Sequence, residues 1–150
     1  MRFLYTLVRD YNEDLWWRFY QKSRSSKCKL IRKYYIFRYM RMTAKNGGYI
    51  GPETTIMGKP DLKHDWHGIH INRNAIIGKN VQICPNVVIG TRGGGSPVIG
   101  NNVYIGANAV IIGEIHIGNN VKIGAGAVVV DDVPDDSVVV GPKATWKKKS

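Results

Sequence analysis

Three of the four histidines in this 150-residue chain, His64, His67 and His70, fall within seven residues. The segment reads Met57-Gly58-Lys59-Pro60-Asp61-Leu62-Lys63-His64-Asp65-Trp66-His67-Gly68-Ile69-His70. Imidazole is the side chain suited to taking up and returning a proton near neutral pH, so the cluster points to general acid–base chemistry. A surface histidine without a task is the competing reading for each of them. It is the preferred one for His67, His70 and His116 taken singly. The two cysteines, Cys28 and Cys84, lie in different regions and offer no metal-ligand spacing, so a reduced, cytoplasmic setting is expected.

The residues around the cluster must hold it in place, and they have an unusual period. Branched aliphatics recur every six residues at Ile71, Ile77, Ile83 and Ile89, then at Ile99, Ile105, Ile111, Ile117, Ile123 and Val129, and most are followed by glycine. Neither a helix nor an ordinary strand repeats every six residues, whereas a parallel β-helix does. Each hexad then forms a short strand and a turn, and three hexads close one triangular coil of about eighteen residues. The aliphatic residue points into the prism. A second inward row falls on Ala75, Val81, Val87, Val103, Ala109, Ile115, Val121 and Ala127. Pairs such as Asn101-Asn102 and Asn119-Asn120 suit the tight turns between strands.

The period breaks twice. One break is the histidine segment between Ile56 and Ile71. The other is the ten-residue step from Ile89 to Ile99, which contains Thr91-Arg92-Gly93-Gly94-Gly95-Ser96-Pro97. Solenoids place such insertions as loops on one face, often the binding face, and a neutral surface loop is the alternative.

Length and hydropathy fit one core, with no stretch of eighteen apolar residues and no signal-peptide pattern. Charge divides the chain. Residues 1–45 carry twelve Lys or Arg against three acids, residues 46–142 carry six against eight, and residues 143–150 carry four lysines, for a net +11. The repeat region is therefore slightly acidic, which argues against a nucleic-acid-binding prism. In the basic amino-terminal segment, Phe3, Leu4, Leu7, Val8, Tyr11, Leu15, Trp16, Phe19 and Tyr20 fall at helical steps. Ser25-Ser26 is the expected break before a second helix lined by Leu30, Ile31, Tyr34, Tyr35, Phe37 and Met40. Two amphipathic helices that cap the open end of the solenoid, or pack on a neighbouring subunit, are the first reading. Attachment to an anionic membrane surface is the second. Asn46-Gly47-Gly48 marks the passage into the first coil.

From residue 46 to residue 142 the chain resembles the hexapeptide-repeat acyltransferases, which are left-handed parallel β-helices. Within them it is most similar to the serine acetyltransferase-like branch that includes capsule and exopolysaccharide O-acetyltransferases. The specific matches are Tyr49-Ile50-Gly51-Pro52, Leu62-Lys63-His64 ahead of Gly68-Ile69-His70-Ile71, and the corners Ile105-Gly106-Ala107-Asn108 and Ile123-Gly124-Ala125-Gly126. The resemblance implies an all-β, left-handed β-helix behind an amino-terminal helical segment. It divides the chain into a basic helical segment 1–45, an acyltransferase domain 46–142 and a basic tail 143–150.

The resemblance also implies a chemistry. In that family a histidine removes the proton of an acceptor hydroxyl, which attacks the thioester of acetyl-CoA directly, with both substrates bound. Counted forward from Ile50-Gly51-Pro52, the catalytic histidine falls on His64. Counted back from Gly68-Ile69 it falls on Asp65, so the chain has one extra residue there. His64 is the expected base and His67 the reserve. Serine acetyltransferases orient that histidine with an aspartate where this chain has Tyr49, so Asp65, Asp61, Glu53 or a backbone carbonyl must serve instead. Their second histidine falls on Ser96, which makes L-serine a weaker expectation than a saccharide hydroxyl. Acetyl-CoA is expected between adjacent prisms of a homotrimer, against Gly90, Thr91, Gly106, Ala107, Gly124, Ala125 and Gly126, with Lys143 near its phosphates. No metal is expected. A zinc hydratase on the same fold would need histidines one coil apart, and these are bunched before one corner. Serine O-acetylation and a non-catalytic scaffold stay open as alternatives, and a lipid-linked acceptor would suit a peripheral membrane position.

Overall fold

The structure is a computed structural model, and it describes residues 15–141 and residue 145. The expected helix positions from Phe3 to Tyr11 and the lysines Lys143, Lys147, Lys148 and Lys149 lie outside the described residues.

Helix α1 covers residues 15–25, and α2 covers Lys29–Lys45. The break falls at Ser26–Cys28, one residue from the expected Ser25-Ser26. The chain then winds into a β-helix. Its first coil contains β1 (Tyr49–Ile50), β2 (Thr55–Ile56) and β3 (Asp61–Trp66). The second contains β4 (His70–Ile71), β5 (Ile76–Ile77) and β6 (Gln82–Ile83). The third contains β7 (Val88–Gly90), β8 (Val98–Ile99) and β9 (Tyr104–Ile105). The fourth contains β10 (Val110–Ile112), β11 (His116–Ile117) and β12 (Lys122–Ile123), and β13 (Val128–Val129) and β14 (Val138–Val139) close the stack.

All pairing is parallel, between coils rather than within them. It forms three faces: β1-β4-β7-β10-β13, β2-β5-β8-β11 and β3-β6-β9-β12-β14, here called faces one, two and three. The fold is thus the expected left-handed parallel β-helix. The register measures each coil. Val98 pairs His116, Tyr104 pairs Lys122 and Val110 pairs Val128, a spacing of eighteen residues, or three hexads. Asp61 pairs Gln82 at a spacing of twenty-one, because β3 to β4 takes three extra residues. Val88 pairs Val110 at twenty-two, because β7 to β8 takes four. Both interruptions therefore leave the stack in register and bulge outward at a prism edge.

Both inward rows are buried. Ile71, Ile77, Ile83, Ile89, Ile99, Ile105, Ile111, Ile117 and Ile123 form one, and Ala75, Val81, Val87, Val103, Ala109, Val121 and Ala127 form the other. Stacking each aliphatic on its equivalent one coil away removes a continuous column from water, so no coil is stable alone.

The two helices cover the first coil. Trp16 meets Trp66 edge-to-face at 4.6 Å, and Tyr20 meets Tyr39 at 5.7 Å. The Tyr20 hydroxyl donates to the Thr54 carbonyl at 2.8 Å and accepts from the Ile56 N–H at 2.8 Å, so it partners backbone groups of a strand that has no coil beyond it. The capping role thus has a visible mechanism. The apolar row expected to line α2 is a different matter. Tyr39 and Thr43 are buried, while Leu30, Ile31, Tyr34 and Phe37 face outward. The face that packs is set by which residues meet Tyr20 and the first coil, and spacing alone does not encode that.

Candidate functional site

The prism has three edges, and the site candidates distribute over them. The edge from face three to face one contains the histidine segment and, below it, Cys84-Pro85-Asn86, Gly106-Ala107-Asn108 and Gly124-Ala125-Gly126. Backbone bonds stitch these corners together: Asn86 N–H to His67 O at 2.9 Å, Asn108 N–H to Pro85 O at 3.0 Å and Gly126 N–H to Ala107 O at 2.8 Å. One edge therefore carries the histidines and the small corners as one stacked column.

The three extra residues explain how the histidines are presented. Leu62, Trp66 and Ile69 are buried and pin the segment to the core, while His64 and His67 are exposed. Asp65 takes a φ of 58° and Gly68 a φ of 63°, so the chain turns twice in the left-handed region to return to β4. The Nδ1 of His67 lies within hydrogen-bonding reach of the His64 carbonyl oxygen. A carbonyl can only accept, so Nδ1 carries the proton and Nε2 of a neutral His67 is left as the acceptor. His70 points outward from β4, between Tyr49 and Val88 on neighbouring strands. His116 is exposed on β11, where its backbone N–H donates to Asp132 at 2.8 Å.

None of the carboxylates considered for orienting His64 contacts it within this protomer. Asp65 accepts from the Asn46 amide at 2.7 Å, and Asp61 pairs with Lys63 at 2.6 Å. Glu53 takes a two-pronged bond from Arg73, with both contacts at 2.9 Å. That hydrogen bond holds the Glu53 carboxyl below the usual carboxylate range and raises the Arg73 guanidinium. Asn46 belongs to the candidate site, although in sequence it reads only as part of a chain break. A polar residue three positions before Tyr49 was the available signal.

The small corners separate into two kinds. A Cβ on Gly106 would meet the Ala125 nitrogen at 2.5 Å, so glycine is required there for one coil to rest on the next. Gly126 has nothing within 4 Å of a would-be Cβ, but its φ of 68° demands a flexible backbone. Ala107 is half-buried and Ala125 is exposed. The N–H groups of Asn108 and Gly126 belong to the inter-coil network, which leaves those of Ala107 and Ala125 outside it.

Gly90 and Thr91 lie elsewhere, on the edge from face one to face two. There the inserted loop folds into a tight reversal bridged between Arg92 and Gly95, with positive φ at Gly93 and Gly94. The Thr91 hydroxyl donates to the Gly95 carbonyl, and Ser96 bonds Asn72 at 2.8 Å. A single protomer therefore does not bring Gly90 and Thr91 to the histidines. Lys143 lies outside the described residues.

Comparisons with known proteins agree with this architecture. The family described as bacterial transferase hexapeptide (six repeats) matches residues 96–131. A protein of Escherichia coli K12 named as a colanic acid biosynthesis acetyltransferase, WcaB, is 43% identical over 103 residues, 67% of this chain and 64% of that protein. The chain thus spans just under two thirds of the length of the curated relatives it matches. Neisseria gonorrhoeae serine acetyltransferase, solved with serine, is 37% identical with a TM-score of 0.67, over 90% of this chain and 54% of that one. Soybean serine acetyltransferase is 35% identical with a TM-score of 0.68, over 83% of this chain and 51% of its own. With its recurring hexads, its stacked corners and these relatives, the chain is a β-helix of hexapeptide repeats similar to the acetyltransferases named above.

Proposed function

We propose that the protein transfers an acetyl group from acetyl-CoA to a hydroxyl of a saccharide, using a histidine of the face-three to face-one edge as general base. The observation that carries this reading is the placement of His64 and His67, exposed, at the head of the column that contains Ala107 and Ala125. The name borne by the Escherichia coli relative, which refers to colanic acid, favours a sugar acceptor. The serine acetyltransferase neighbours keep L-serine as the competing acceptor. The chain has Ser96, already bonded to Asn72, where that branch has its second histidine, and this weakens the serine reading.

In the proposed reaction the imidazole takes the proton of the acceptor hydroxyl as its oxygen forms a bond to the thioester carbonyl carbon. The carbonyl electrons move onto oxygen, where backbone N–H groups outside the inter-coil network, such as those of Ala107 and Ala125, can hold the developing charge. Collapse of that intermediate breaks the carbon–sulfur bond. The leaving thiolate takes the proton back from the imidazolium, giving the acetyl ester and free CoA.

His64 is assigned the base by its distance from Ile50-Gly51-Pro52. A second reading gives that role to His67, whose tautomer is fixed by the His64 carbonyl. A homotrimer completes the site: the loop edge with Gly90 and Thr91 of one prism comes to face the histidine edge of the next, with CoA in the groove between them. Acetyl-CoA places the activity in the cytoplasm.

The test is thiol release from acetyl-CoA by the full chain, with a panel of saccharides set against L-serine and no acceptor. Acceptor-dependent release with a sugar supports the proposal. Release with L-serine alone transfers the protein to the competing reading, and no release with any acceptor favours a scaffold.

A further inference from the structure

We infer that the outward face of α2 docks on an anionic lipid bilayer. The helix has two apolar faces. Tyr39 and Thr43, flanked by Ile36 and Met40, pack against α1 and the first coil. On the opposite side Leu30 is 77% exposed, Tyr34 51%, Phe37 59% and Ile31 49%. Leu30, Tyr34, Phe37 and Arg41 recur at steps of four, three and four, so they form one stripe along about 16 Å of helix. This explains why the capping and membrane readings of the sequence need not compete: one face caps and the other is left over.

The charge around the stripe identifies its partner. Helix α2 contains Lys29, Arg32, Lys33, Arg38, Arg41 and Lys45 and no acid, and no Asp or Glu occurs between Leu15 and Pro52. Arg38 donates to the Tyr34 hydroxyl at 2.7 Å and lies over the Phe19 ring of α1 at 4.6 Å, so it ties the stripe's edge to the cap, while Lys29, Arg32, Lys33 and Arg41 are exposed. A protein interface would favour acids among these cations, to limit self-repulsion between copies. An exposed row of Leu, Tyr and Phe edged by Arg and Lys matches a surface-lying helix, with the apolar side chains at the acyl boundary and the cations at the headgroups. No helix among the described residues is long and apolar enough to cross a membrane, so the contact is peripheral. It brings the prism to the surface where a lipid-linked hydroxyl acceptor would be presented, and it does not depend on the acetyl transfer proposed above.

The test is co-sedimentation of the full chain with phosphatidylglycerol-containing vesicles and with pure phosphatidylcholine vesicles. Binding to the anionic vesicles should exceed binding to the neutral ones by roughly tenfold or more. It should fall away in about 1 M salt, where the screening length is about 3 Å. The double variant Leu30→Ser/Phe37→Ser should lose roughly tenfold in vesicle binding, with an unchanged circular dichroism spectrum and thermal midpoint. The reversed-charge variant Arg41→Glu/Lys33→Glu should lose the preference for anionic lipid. Equal binding of the wild type to both vesicle types would overturn the inference, as would a double variant that binds as the wild type does. A double variant that changes the mass in light scattering, while wild-type vesicle binding stays at background, would identify the stripe as a contact between copies and overturn it equally.

Discussion

Two edges of the same prism use the same kind of corner for opposite ends. Between faces two and three, Asn80, Asn102, Asn120 and Asp136 form a ladder of side-chain bonds at 3.1, 3.0 and 2.9 Å. Beside it, the side-chain oxygens of Asn101, Asn119 and Asp135 each receive a backbone N–H from the coil above, at 2.8, 2.9 and 2.7 Å. Every rung there is bonded to the next, so its polar groups are engaged in holding the coils together. Between faces three and one the corners include Ala107 and Ala125, which can form no rungs, and the first coil bulges out with His64 and His67. An edge whose polar groups satisfy each other presents little to a ligand. An edge with small side chains leaves room for one.

The largest effect should come from removing the proton acceptor on the open edge. His64→Ala is expected to lower turnover by about 10²–10⁴-fold, which corresponds to roughly 3–5 kcal/mol of barrier. Circular dichroism and the thermal midpoint should be unchanged, because the side chain is exposed. His67→Ala in parallel decides between the two imidazoles. If the loss appears in His67→Ala and His64→Ala stays active, the base is the histidine whose Nδ1 the backbone already fixes.

The ladder edge should respond the other way, in stability and not in turnover. Asn102 sits at φ 57° and bonds both Asn80 and Asn120. Asn102→Ala places a Cβ residue without local hydrogen bonding in the left-handed region and cuts two rungs, for a loss of about 2 kcal/mol. Asn102→Gly tolerates that backbone and loses only the rungs, so about half of the cost should return. Denaturant midpoints measure both. Turnover well below the folding transition should match the wild type, and a loss of turnover in Asn102→Gly would break the division of labour between the edges.

Ala125 tests whether the open edge is a groove. Its side chain is exposed, so Ala125→Tyr should fold normally while filling the path of a cofactor arm. The expected result is a KM for acetyl-CoA raised about tenfold, near 1.4 kcal/mol, with a smaller change for the acceptor. An unchanged KM would mean that these corners only turn the chain.

Much of this was legible in sequence, for a physical reason. The inward rows are the repeat itself, so Ile71 to Val129 could be placed in the core before any coordinates. The site was legible only as far as it interrupts that repeat. His64 and the Thr91–Pro97 loop announce themselves by breaking the period. Asn46 does not, because its bond to Asp65 joins residues nineteen apart that no pattern links. The placement of Gly90 and Ala107 on different edges also follows from counting corners, once the ten-residue step from Ile89 to Ile99 is counted as a single hexad with four residues inserted. The exposed stripe of α2 was unreadable for a different reason. Apolar residues occupy both sides of that helix, so its pattern does not say which side packs.

The cap offers the finest version of the comparison, one hydroxyl bonded and one not. Tyr20 is partnered by Thr54 and Ile56, and Tyr20→Phe should cost about 1–2 kcal/mol because the buried Ile56 N–H loses its acceptor. Tyr39 is fully buried, and its hydroxyl has no hydrogen-bond partner among the described residues. Tyr39→Phe should therefore be neutral or stabilise by less than about 1 kcal/mol. Burial pushes the Tyr39 phenol up to about 12, from an ordinary value of 10.0. Between those values the unfolded chain releases the phenolic proton and the folded chain keeps it. The unfolded state then binds fewer protons, so stability falls as pH rises across that window. Phenylalanine has no proton to lose. The advantage of Tyr39→Phe over the wild type should therefore be smallest below pH 10 and widen toward pH 12, read as the difference between paired denaturant midpoints. A difference that stays flat across that window would mean that the hydroxyl finds a partner or water in solution, and the cap would then follow the ladder's rule of bonding every polar group.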